Sequence, residues 1–206
     1  EGQKVSLKAD YCICTIPLSV LRGLDVGVSK KFKDAIGAVS YALVGKIGLQ
    51  MKRRFWEEEH RIYGGHVYMD DPQIGTISLP STNWQGQKGV VLGYYSFGAN
   101  AAKTSALDVA GRTALALAAG QKVFPEYKDS FETSFAASWH RIEHNLGGWA
   151  QWDDDGRRDA YPILCEPDGR IYLAGEHLSY LTGWQAGGIE SAWQQIAKLN
   201  QRVQAA

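Results

Sequence analysis

Three cysteines in 206 residues are too few for a disulfide framework. An excess of either charge is missing as well: basic and acidic residues number 22 each, so the formal net charge is zero. Neither nucleic acid nor an anionic membrane surface is therefore an expected partner. The longest apolar run falls far short of the roughly 20 residues a spanning helix needs, and no signal-peptide pattern opens the chain. No Gly-x-Gly-x-x-Gly, P-loop or Gly-x-Ser-x-Gly elbow occurs. His66, His140, His144 and His177 show no metal-ligand spacing, and Asp153-Asp154-Asp155 lacks the later ligands of a calcium loop, so no metal site is expected. Glu1 stands where an initiator Met would, which reads either as a trimmed chain or as one cleaved from a longer precursor. The compartment stays open.

What is present is a mixed α and β pattern with enough apolar residues, 45%, for one large or two small domains. Strands are predicted over 4–8, 10–16, 40–51, within 64–79, over 89–97, 131–142 and 171–174. Cys12 and Cys14 alternate in the second of these and read as core. A helix is predicted over 106–122, with Asp108 near its start and Phe124-Pro125 as its stop. Another runs over 187–204, with Ile189, Ala192, Trp193, Ile196, Leu199 and Val203 on one apolar stripe. Residues 146–152 read as a loop and 153–156 as a solvated turn.

Lys46 interrupts an almost wholly apolar strand. A buried ammonium costs several kcal/mol unless it is paired or deprotonated, so it is either functional or snorkels from a strand edge. Tyr95 and Phe97 share one strand face while Tyr94 points to the other, which suits a pocket phenol or ordinary core aromatics. Glu176 follows Gly175 at a strand end, where a carboxylate can accept from ligand hydroxyls or serve as a surface acid. Trp184 and Trp149 sit beside glycines, as an aromatic wall over a flat ligand or as core tryptophans.

Four blocks together resemble the flavin-containing amine oxidase family, L-amino-acid oxidase type. They are Ala9–Pro17 (ADYCICTIP), Val44–Leu49 (VGKIGL) with Phe55-Trp56, Gly89–Gly98 (GVVLGYYSFG), and Gly169–Glu176 (GRIYLAGE) with Gly183-Trp184 and Ile189–Ala192 (IESA). The final block is the specific one. Two departures stand out: Ser191-Ala192 where the family often has Ser-Gly, and no Gly-x-Gly-x-x-Gly strand–turn–helix for the ADP part of FAD. The arginine that pairs with an amino-acid carboxylate is also absent.

The resemblance implies an α/β fold of mixed α+β kind, part of a FAD-binding Rossmann-like domain plus a substrate domain with a mixed β-sheet. Residues 1–20 and 161–206 would complete the FAD domain, and 21–160 would form the substrate domain. It implies FAD as cofactor, with Gly175, Glu176, Gly183, Trp184, Gln185, Ala186, Gly187, Gly188 and Ile189 along it. Lys46 would hold a water near flavin N5. Tyr95 would bind the substrate carboxylate, with Phe97, Trp149, Gly183 and Trp184 lining the pocket. The implied reaction is oxidation of an L-amino acid to a keto acid, ammonia and hydrogen peroxide. Expected partners are an N-terminal chain or segment bearing the dinucleotide-binding motif, an amino acid or amine, and oxygen, in an oligomer. An amino-acid monooxygenase, a polyamine or monoamine oxidase, and a structural subunit without flavin are the alternatives.

Overall fold

In a computed structural model, which describes residues 2–3 and 5–205, the chain divides into two units, residues 1–41 with 143–206 and residues 42–142. In chain order the elements begin with β1 (Cys12–Cys14), α1 (Leu18–Leu21), α2 (Lys30–Gly37) and β2 (Ser40–Tyr41). There follow β3 (Val44–Met51), α3 (Phe55–Glu58), β4 (Gly65–Tyr68), β5 (Thr76–Leu79), β6 (Gly89–Phe97), α4 (Gly98–Ala106), α5 (Val109–Gln121) and β7 (Phe131–Ser138). The last are β8 (Ala150–Gln151), α6 (Asp154–Asp159), α7 (Tyr161–Cys165), β9 (Ile171–Leu173) and α8 (Gln185–Gln204).

The unit formed by residues 42–142 is built on one five-stranded antiparallel sheet, ordered β4-β5-β6-β3-β7. Strict alternation in β3 sends Ile47, Leu49 and Met51 to one face, where they are fully buried. They pack with Val91, Tyr94, Ile77, Phe55, Trp56 and the α5 residues Ala116 and Ala119. Each fully buried Ile, Leu, Val, Met or Phe among them contributes about 1.5–3 kcal/mol. The opposite face of β3 carries Lys46, Gly48 and Gln50, all half-buried. Asp108 caps α5 by accepting the Gly111 amide at 2.7 Å.

Register between β3 and β6 depends on one extra residue. Ile47 lies opposite Tyr94, but Gly48 lies opposite Leu92, so Gly93 is bulged out of the β3–β6 ladder. A Cβ on Gly93 would stand 2.7 Å from Leu49 Cδ1 and 3.1 Å from Ala116 Cβ. The bulge reverses the alternation of β6, so Tyr94 enters the core and Tyr95 and Phe97 take the face of Lys46.

The other unit pairs β1 with β9 in parallel and β2 with β8 antiparallel. Its core joins Leu18, Leu21, Phe32 and Ile36 to Tyr161, Leu164, Leu173 and Leu178. The buried face of α8 is Gly187, Ser191 and Gln195.

Several expectations are corrected. Residues 5–9 form no strand, and Val5 and Leu7 are exposed; Lys4 lies outside the described residues. Cys12 is exposed rather than core, at the start of a strand that pairs with β9 alone among the described residues. The segment 40–51 is two strands, and β2 leaves for β8, which lies inside the predicted loop 146–152. Asp153 is not in a free turn: it caps α6 by accepting the Gly156 amide at 2.7 Å. The helix predicted from 106 begins at Val109, because residues 98–106 form a helix of their own. The 131–142 strand stops at Ser138 in a short 3-10 turn. The apolar stripe of α8 is solvent-exposed, Trp193 at 71% and Ile196 at 54%. Both ends of the chain, 1–20 and 161–206, lie in one unit, and the five-stranded sheet lies in the other.

Candidate active site

The candidate residues fall into two groups, one in each unit. In residues 42–142, Lys46 and Tyr95 are direct cross-strand partners, and Lys46 Nζ stands 4.2 Å from the Tyr95 ring centroid. The Tyr95 and Phe97 rings follow at 4.3 Å between centroids. No carboxylate lies within ion-pairing distance of Lys46 among the described residues. Desolvation lowers its ammonium pKa, and burial raises the Tyr95 phenol. An ammonium held over an aromatic face, without an anion, keeps its N–H donors for a water or ligand.

The second group follows β9. Gly175, at φ +151°, turns the chain directly above the His177 ring. Glu176 then reaches two separate loops: Oε1 accepts the Ala150 amide at 3.0 Å and Oε2 accepts the Gly183 amide at 2.9 Å. Burial pushes the Glu176 carboxyl above its ordinary range, and the two amides pull part of the way back. Gly183, at φ +80°, leans on Trp149, whose Cγ would be 3.3 Å from a Cβ there. Trp184 starts α8 without a side-chain cap, and Gln185, Ala186 and Ile189 are exposed. The first amides of this helix therefore point out with the positive end of its dipole. Gly187 is buried against Ser179 and Leu181, and Gly188 is half-buried beside the Glu176 amide.

Three features escaped the sequence reading. Ser191 Oγ accepts the Gly175 amide at 3.1 Å, tying α8 to the turn. Arg157 donates to the Ser179 carbonyl at 2.9 Å with its guanidinium 4.4 and 4.6 Å from the Tyr161 and Tyr180 rings. The only signal for it was a basic residue amid distant tyrosines, which carries no spatial information. Glu59, His60 and Glu126 also converge, although their carboxylates already engage Arg53 and His60.

Comparison with known proteins fixes the class. The sequence model for "Flavin containing amine oxidoreductase" matches residues 1–196, so the chain belongs to the flavin-containing amine oxidase family. Its L-amino-acid oxidase type is supported by relatives. A putative L-amino-acid oxidase of Bacillus subtilis, YobN, is 31% identical over 95% of this chain and 42% of its own length. The flavin-dependent L-tryptophan oxidase RebO of Lentzea aerocolonigenes is 30% identical over 91% of this chain and 41% of its length. Cyclohexylamine oxidase from Brevibacterium oxydans shares the fold, with a TM-score of 0.84 at 17% identity over 98% of this chain and 45% of that one. The chain thus spans about two fifths of the length of these two relatives. The α/β fold and FAD as the cofactor follow from the family. The uncapped α8 start suits an anionic or polar part of such a cofactor, and each Glu176 oxygen keeps a lone pair for a ribityl or ribose hydroxyl.

Proposed function

We propose that this chain forms part of a FAD-dependent L-amino-acid oxidase. The observation that carries the reading is Lys46 lying over Tyr95 with no acid paired to it among the described residues. In it Lys46 would hold a water for the flavin chemistry, and Tyr95 would donate to the substrate carboxylate. Phe97 lines the substrate side beside Tyr95 in its own unit; in the other unit Trp149 and Trp184 form an aromatic wall, and Gly183 lets the backbone come close to a ligand. Gly175 and the Gln185–Ile189 start of α8 hold the cofactor, on either side of Glu176. FAD would supply the hydride acceptor for the substrate Cα and the means of passing the electrons to oxygen. No base is required of the chain, since a neutral amine releases hydride directly; the residues orient and desolvate.

The dinucleotide-binding motif belongs, in this reading, to a further segment. The length of the relatives supports that, as does the exposed α8 stripe of Ile189, Trp193, Ile196 and Val203. Whether that segment is a separate processed chain, and whether the whole assembles as an oligomer, are parts of the same proposal. The first and last parts of the chain would serve the FAD domain, and the sheet the substrate domain.

The test is a product assay on the full-length protein with L-amino acids and with amines lacking a carboxylate. Peroxide and keto acid from the amino acids are expected, with slower turnover of the amines. Faster oxidation of the amines would move the enzyme to the polyamine or monoamine type, and an amide product to the monooxygenases. A colourless protein, without the flavin band near ~450 nm, would leave a structural subunit.

A further inference from the structure

We infer that Glu176 is a positioning residue for the substrate wall, clamping the Trp149–Ala150 and Gly183–Trp184 segments together, rather than chiefly a cofactor contact. The inference rests on the oxidase reading above. Its geometry does not: one carboxylate receives two backbone amides that lie 33 positions apart in sequence (183 − 150), at 3.0 and 2.9 Å. Charge-assisted bonds of this kind are roughly twice as strong as neutral ones.

What the clamp holds is specific. Each amide belongs to or adjoins a residue of the aromatic wall: Ala150 follows Trp149, and Gly183 precedes Trp184. Gly183 itself rests on the Trp149 ring, so the two segments touch where the carboxylate ties them. The base of the second segment is fixed independently. Ser179 Oγ accepts the Leu181 amide at 3.0 Å and donates to the Glu176 carbonyl at 3.1 Å, while Arg157 donates to the Ser179 carbonyl. Residues 179–181 therefore need no help from the carboxylate. Its effect concentrates at Gly183-Trp184 and at Trp149. Small displacements of a substrate-orienting group cost binding and rate steeply.

Glu176→Gln separates the roles, because it keeps the volume but offers one oxygen to two amides and turns an NH2 toward the other. In the flavin-loaded full-length protein, the variant is expected to keep its flavin absorbance. KM for the amino acid should rise about tenfold while kcat changes less. Hydrogen–deuterium exchange at the Ala150 and Gly183 amides should accelerate by about tenfold or more. Loss of flavin with KM unchanged would overturn the inference in favour of a cofactor contact. So would exchange at both amides equal to the parent's. If the parent protein holds no flavin, the oxidase reading fails, while the exchange comparison still decides whether the clamp exists.

Discussion

At the scale of the residue, Lys46 was legible because a charge in an apolar strand needs a reason. The structure supplies half of one: the ammonium is desolvated, has no anionic partner among the described residues, and sits against Tyr95. If its task is to hold a water at the cofactor, Lys46→Met should lower turnover by about tenfold or more, as for loss of a positioned proton-handling group. Flavin absorbance should remain. Turnover equal to the parent's would remove Lys46 from the reaction. Glu176 was only half legible. Its place after Gly175 marked it as a ligand-facing acid, but the amides it binds are supplied by positions 26 residues before it and 7 after it. Spacing along the chain does not encode that meeting.

Elements show a different division. β6 was readable to its ends because its apolar run is bounded by glycines, yet its bulge was invisible. Counting by twos from Val91 places Tyr95 in the core, with Val91 and Gly93. The bulge at Gly93 is what puts Tyr94 there instead and turns Tyr95 to Lys46. Gly93→Ala should therefore do two things. Crowding against Leu49 and Ala116 should destabilise by about 1–3 kcal/mol in urea unfolding. Any relief by straightening the strand would rotate Tyr95 away from Lys46, raising KM more than stability alone explains. A variant with the parent's unfolding midpoint would show that the bulge tolerates a Cβ. The α6 start is simpler: Asp153→Ala removes the cap on the Gly156 amide and should cost about 1 kcal/mol, measured the same way. Helix α8 shows why periodicity misled. Its apolar stripe is real, but a period states that a face exists and not what covers it. The face this chain covers is Gly187, Ser191 and Gln195, small or hydrogen-bonded, with Gln195 donating to the Cys165 carbonyl at 3.0 Å.

At the scale of the whole molecule, the blocks with specific motifs identified the family, while the division into units did not follow from them. The break falls at 41/42 and 142/143 because β2 leaves the run that continues as β3 and pairs with β8. A strand pairing between residues 40 and 151 has no local signal. Stability against pH is likewise a property of buried groups that no sequence pattern marks. Burial pushes His177 down to about 4, with Nε2 left without a partner. A depressed folded pKa contributes fully above the unfolded value of 6.5 and is lost as pH falls from there to about 4. The drop amounts to roughly 3 kcal/mol across that window. Glu57, held below the ordinary carboxyl range by Arg54, adds its own loss at still lower pH, whereas Glu176, raised by burial, acts in the opposite sense. Urea unfolding between pH 7 and 4 should therefore show a falling midpoint, and His177→Leu should flatten that limb while leaving the Glu57 portion below it. A limb as steep in the variant as in the parent would assign the acid sensitivity to the carboxylates alone.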